Sequence, residues 1–142
     1  MTIYADSSFF VSLYLVDAHS KEAWRRMLAR RAVWITPLNR AEFTHAVFLQ
    51  IFWKKAVLAE AEGAMRAFNR DEAAGVWQTT GLLAEGFERS MGLAKRFGPS
   101  LGVRTLDSLH VACALELKAE RFWTFDERQA RLAKAVGLKT SL

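Results

Sequence analysis

Residues 121–140, RFWTFDERQARLAKAVGLKT, decide the fold class. Arg121 to Phe125 (RFWTF) is dominated by bulky residues that suit a pleated, buried surface, and reads as a strand. Glu127 to Val136 reads as a helix ended by Gly137, and Leu138 to Thr140 as a final short strand. Asp126 stands at the joint between the first strand and the helix.

The same alternation runs outward through the chain. Arg104 to Lys118 is a largely uncharged helix of the kind that is buried, and a helix from Leu82 to Phe97 before it should stop at the breaker Gly98-Pro99. Val76 to Thr79 reads as a strand, with helices over Ala59 to about Asn69 and Leu38 to about Val57 preceding it. Ala32 to Thr36 (AVWIT) reads as a buried strand closed by Pro37. The spacing of Ala23, Trp24, Met27 and Leu28 predicts a helix over Ala18 to Arg31. Ser8 to Leu15 is an apolar helix, and Thr2 to Ala5 (TIYA) a first strand. Short strands separated by helices imply an α/β sandwich with a mostly parallel central sheet of about five strands. The pattern leaves their order in the sheet open.

Composition narrows the function classes. A chain of 142 residues, 51% hydrophobic and 12% aromatic, can bury a sizeable core and fits one domain over 1–142. No linker, repeat or low-complexity segment interrupts it. The longest apolar run, Ala46 to Trp53, is far short of the roughly 20 residues a bilayer helix needs, and no leader precedes Asp6. The single cysteine, Cys113, excludes an internal disulfide and suits a reducing, cytoplasmic compartment. The net charge of +5 includes the basic pairs Arg25/Arg26, Arg30/Arg31, Lys54/Lys55 and Lys95/Arg96. Such a balance favours a polyanionic partner, although a solvated basic surface would read the same way.

Four acids fall where a site should be. Asp6 follows the first strand and Asp126 follows RFWTF, and open parallel sheets gather ligands beyond the carboxyl ends of their strands. Glu42 lies in the first turns of the helix entered from AVWIT, and Asp107 in the first turn of the buried helix. Carboxylates crowded together repel unless a hard cation neutralises them, and Mg²⁺ and Mn²⁺ prefer oxygen ligands. Such a cation acidifies water and stabilises charge on a phosphate, so no covalent nucleophile is required. Each acid also has a structural role open to it. Asp6 and Asp126 can cap helices, Thr124-x-x-Glu127 has the form of a capping box, and Glu42 and Asp107 gain from helix dipoles. Asp107 fits that reading least, because it precedes SLHVACAL and a carboxylate there needs a partner. Without the four acids, 20 basic residues face 11 acidic ones, so an acidic pocket would sit in a basic surface. Arg40, Arg104 and Arg128, close in sequence to the acids, are the candidates to bind phosphates of such a polyanionic partner.

Around these residues the sequence resembles a PIN domain, particularly the VapC-like toxin nucleases of VapBC toxin–antitoxin pairs. The segments that carry the resemblance are IYADSSFFVSLY, TPLNRAEFTHAV, RTLDSLHVACAL and FWTFDERQARLAKAVGL, and together they cover essentially the whole chain. The resemblance implies an α/β/α fold and Mg²⁺- or Mn²⁺-dependent cleavage of RNA phosphodiesters. It casts Asp6, Glu42, Asp107 and Asp126 as the acidic quartet, with Ser8 supporting the first acid. It also implies a homodimer and a cognate VapB-like antitoxin.

Two alternatives compete. Glu42-x-x-His45 and Asp107-x-x-His110 each place an acid and a histidine one helical turn apart, as di-iron carboxylate proteins do, but those are four-helix bundles. A non-catalytic module of the same fold could hold RNA or a protein without cutting. No Gly-x-Ser-x-Gly elbow or Gly-rich phosphate loop occurs. The aromatic and apolar residues Phe9, Phe10, Leu13 and Tyr14 and the run AVFLQIFW exceed what single helix faces need, which suits either a thick core or a partner site. The five tryptophans read as core.

Overall fold

At the centre of the sheet lies β1 (Thr2–Ala5), in which Ile3, Tyr4 and Ala5 are all fully buried. Because alternate side chains of a strand point to opposite faces, such a strand must be covered on both sides. The computed structural model describes residues 1–29, 32–82 and 84–141 and supplies both covers. After β1 come α1 (Ser7–Tyr14), α2 (Ser20–Met27), β2 (Ala32–Ile35), α3 (Pro37–Phe52), α4 (Leu58–Ala73) and β3 (Trp77–Thr79). Then follow α5 (Ala84–Leu101), α6 (Thr105–Glu116), β4 (Arg121–Trp123), α7 (Glu127–Ala135) and β5 (Lys139–Thr140). The sheet order is β3-β2-β1-β4-β5, and every pair is parallel.

Ile3 and Ala5 join one core with Phe9, Phe10, Phe43, Phe68 and Trp77, built by α1 to α4. Tyr4 points the other way, into a core with Val111, Phe122 and Leu132, built by α5 to α7. This parallel sheet excludes the four-helix bundle that a di-iron site requires. Among the described residues, no helix is long and apolar enough to cross a membrane.

The elements differ from the expected ones mainly at their ends. Helix α5 runs through Gly98-Pro99 to Leu101 instead of stopping at Phe97. A proline near the end of a helix removes only one late hydrogen bond, and Phe97, Leu101 and Val103 pack on the second core. The chain turns off at Gly102, whose φ is +64° and whose N–H reaches Gly98 O at 3.0 Å. Helix α3 ends at Phe52, short of Val57, because Lys54 takes a left-handed φ of 57°. Helix α4 runs past Asn69 to Ala73, and α2 spans only Ser20–Met27. The pair Arg30/Arg31, expected to end the second helix, and Leu83, expected near the start of the fifth, lie outside the described residues.

Two of the apolar sets sort differently. Phe9 and Phe10 are core, whereas Phe48, Leu49, Phe52 and Trp53 are exposed along the end of α3. Trp77 and Trp123 are buried, Trp34 is half-buried, and Trp24 and Trp53 are exposed rather than core.

Phe10 packs edge-on against Phe9, Phe43, Phe68 and Trp77. Phe10→Ala should therefore cost about 3–5 kcal/mol in chemical denaturation. A loss under about 1 kcal/mol would mean that this aromatic cluster does not hold α1 to the sheet.

Candidate active site

The strand order reverses at β1, which is followed in sequence by β2 on one side and bonded to β4 on the other. Ligand crevices in open parallel sheets form at such a switch point. Asp6 lies directly beyond β1, and its N–H donates to Trp123 O, the last residue of β4, at 3.0 Å. Its side chain is fully buried. Oδ1 accepts from Ser8 Oγ at 2.6 Å and from Phe9 N at 3.1 Å, which caps α1, and Oδ2 accepts from Thr124 Oγ1 at 2.6 Å. All three partners are neutral. Burial pushes the Asp6 carboxyl up to about 6, against the opposing charge of His110 and these hydrogen bonds.

Asp126 is held from the neighbouring strand. Its Oδ1 accepts from Arg128 N at 2.8 Å and Gln129 N at 3.1 Å and so caps α7. The capping box expected from Thr124 to Glu127 does not form. Thr124 instead donates to Asp6 and accepts from Asp126 N at 2.9 Å, tying the two acids together through one hydroxyl.

Glu42 and Asp107 reach the same place from helices. Asp107, 6% exposed, is paired with Arg104, whose Nε stands 2.9 Å from Oδ2, so the partner this carboxylate needs is its neighbour one turn away. Arg104 is more than half exposed, and its hydrogen bond to Asp107, together with that residue's charge, raises its pKa further. Glu42 accepts a short hydrogen bond from Ser7 Oγ, and His110 Nε2 lies 3.1 Å from its Oε1. Burial would raise the Glu42 carboxyl, but the His110 contact, Ser7 and Arg104 together hold it below its ordinary value. Glu42, Asp107, Asp126, Ser8 and Arg104 line one cleft of about 680 Å³, and Asp6 lies buried beside it, bonded to Ser8.

Two arginines are not brought there in the same way. Arg40 forms a short ion pair with Glu72, bonds Asn69 at 2.9 Å and lies outside the lining of the cleft. Arg128 is exposed, and only its backbone N–H engages Asp126. Ser7 in the wall, and Thr124 and His110 buried behind it, make contacts that local reading passes over. Ser7 and Thr124 orient acids, and His110 reaches Glu42 across 68 positions. Behind His110, Tyr4 Oη lies 2.8 Å from Nδ1 and donates to Asn39 Oδ1 at 3.0 Å, and Asn39 Nδ2 donates to Ala5 O at 2.6 Å. The acid-histidine spacings signalled His110, but not its partner. His45, the other histidine so spaced, is exposed and turns back on Ala41 O.

Among the described residues, no three His, Cys, Asp or Glu side chains stand close enough to hold a metal ion as placed. The donor set is nonetheless of one chemical kind: four carboxylates and serine and threonine hydroxyls, all hard oxygens suited to Mg²⁺ or Mn²⁺. The buried Asp6, with only neutral hydrogen-bond partners, is the charge that a cation would offset.

The fold is that of a PIN domain. The family matches residues 3–135, and the chain belongs to it. Among solved structures it is similar to VapC20 of Mycobacterium tuberculosis, described as a Sarcin-Ricin loop cleaving toxin, with a TM-score of 0.71 at 17% identity over 96% of this chain and 95% of that one. It is also similar to VapBC2 from Rickettsia felis, bound to a DNA fragment from their promoter, with a TM-score of 0.68 at 14% identity over 99% and 98%. A toxin-antitoxin complex from Klebsiella pneumoniae gives a TM-score of 0.55 at 14% identity over 87% and 86%. No curated protein sequence matches the chain.

The raised Asp6 pKa has a thermodynamic consequence in metal-free protein. A carboxyl whose folded pKa exceeds its unfolded value contributes stability below the unfolded pKa and loses it as pH rises through the folded one. The window runs from 3.8 to about 6, worth on the order of 3 kcal/mol at about 1.36 kcal/mol per pKa unit. In EDTA, the melting temperature of Asp6→Asn relative to wild type should therefore rise between pH 4 and pH 7. Parallel curves for the two proteins would mean that Asp6 is not a buried, destabilising charge.

Proposed function

We propose that this chain is a metal-dependent endoribonuclease, one domain over 1–142, acting as the toxin of a toxin–antitoxin pair. The observation that carries this reading is the meeting of Glu42, Asp107 and Asp126 around one cleft, beside the buried Asp6, in a PIN fold. Asp6, Glu42, Asp107 and Asp126 would hold Mg²⁺ or Mn²⁺, which supplies positive charge for the phosphate and acidifies water.

The remaining work falls to the chain itself. Ser8 and Thr124 fix both oxygens of Asp6, and Ser7 and His110 fix Glu42, so the acids meet a ligand already oriented. Arg104 places a cationic fork at the rim, where it can pass from Asp107 to an RNA phosphate. The net charge of +5 draws RNA toward the protein, and the exposed Arg128, whose backbone N–H bonds Asp126, is a candidate second phosphate contact.

Partners follow from the same reading. The exposed Phe48, Leu49, Phe52 and Trp53 continue outward from the cleft along α3 and offer an apolar surface to a VapB-like antitoxin. The resemblance to VapBC and toxin–antitoxin structures supports that partner. A homodimer working in the cytoplasm belongs to the same proposal.

The test is cleavage of total cellular RNA by purified wild-type and Asp107→Asn protein, with Mg²⁺, Mn²⁺ or EDTA. Loss of residues that merely support metal ligands costs about 10–100-fold. Discrete products should therefore appear with either metal, vanish in EDTA, and fall by at least about 100-fold in the variant. Folded wild-type protein that binds RNA but cuts none would instead make the chain a binding module.

A further inference from the structure

Gln129 is the anomaly of the cleft. It is 4% exposed, lies in the first turn of α7, and lines the cleft beside Asp126, whose Oδ1 accepts its backbone N–H. Its side-chain carbonyl, Oε1, is shut from solvent and has no hydrogen-bond partner among the described residues. Buried polar groups are almost always paired, because an unpaired one loses its bonds to water and gains nothing. The neighbouring buried positions on this helix are Ala130, Leu132 and Ala133, so an apolar residue would suit the site's packing better. Here the fold carries a cost in stability next to the acids.

The chemistry of the missing partner follows from the group left over. A carbonyl accepts and cannot donate, so a phosphate, which offers acceptors only, does not answer it. Along an RNA chain the O–H adjoining every phosphodiester is the ribose 2′-hydroxyl, the group by which proteins tell RNA from DNA. Gln129 lines the cleft, and its terminal torsion is broad and roughly two-fold, so turning the amide about that bond can present the carbonyl to a ligand there. We propose that Gln129, from its buried place beside Asp126, accepts a hydrogen bond from the 2′-hydroxyl next to the scissile phosphate and so selects RNA. The proposal rests on the nuclease reading and adds a specificity residue to it.

The experiment uses the full chain and an RNA oligonucleotide spanning a cleavage site mapped with wild-type protein. A second oligonucleotide carries 2′-fluoro, which does not donate, at the nucleotides flanking that site. With wild type, the fluoro substitution should lower kcat/KM by about three- to tenfold, the range for one neutral hydrogen bond. Gln129→Leu should lower kcat/KM on the all-ribose RNA by a similar factor and be insensitive to the fluoro substitution. Its melting temperature should equal or exceed that of wild type, because a purely structural glutamine would instead leave a less stable protein. A fluoro effect of equal size in both proteins, or a fall in melting temperature on Gln129→Leu, overturns the proposal. Asp107→Asn run in parallel separates the two readings. Cleavage that survives in it removes the nuclease reading and this inference together, whereas cleavage lost there, with an unchanged fluoro effect in Gln129→Leu, removes this inference alone.

Discussion

Asp6 is a carboxylate that solvent does not reach, set where the central strand ends and the strand order reverses. A charge in that position is costly, and hydrogen bonds from Ser8, Phe9 and Thr124 offset the cost only in part, which is why its pKa stands near 6. Much of the local structure is arranged around it. Helix α1 begins where its N–H bonds that carboxylate, and Thr124 turns out of β4 to reach the same group and Asp126. The fold thus maintains an unfavourable charge at the one place where a parallel sheet offers a crevice. Such unfavourable arrangements cluster at functional sites.

Glu42 is supported from both faces of the sheet, through β1 at its centre. Glu42 on α3 touches His110 on α6, and His110 passes through Tyr4 of β1 to Asn39, which in turn closes the cap of α3 and bonds Ala5 O. Tyr4 and His110 are fully buried, so this chain of polar groups crosses between the two cores without meeting water. Fully paired networks of this kind rigidify what they connect. Gln129, close by, is the counterexample: one buried amide left incomplete.

Most of this could be seen in the sequence, for physical reasons. Strands such as RFWTF announce themselves because both faces are buried, and an acid directly after a strand is placed by the sheet itself. The sequence therefore places Asp6 and Asp126 at the strand ends whatever the strand order. Contacts between distant side chains are a different matter. Nothing local to His110 tells of Glu42, and Thr124 read as a cap for α7 because its bond to Asp6 spans 118 positions. Arg40 illustrates the converse: close to Glu42 in sequence, it projects from nearly the opposite side of the helix and pairs with Glu72. Pro99 shows tertiary packing overriding a local breaker, since the core reclaims Phe97 and Leu101 on either side of it.

The account stands on the four acids acting as one cation site, and binding of Mn²⁺ to RNA-free protein tests that most directly. Calorimetric titration of wild type, Glu42→Gln, Asp107→Asn and Asp126→Asn, each first shown to be folded, reads it without any cleavage. Saturable binding by wild type that weakens in all three variants is the expected result. No binding by wild type, or equal binding by all four proteins, would contradict it.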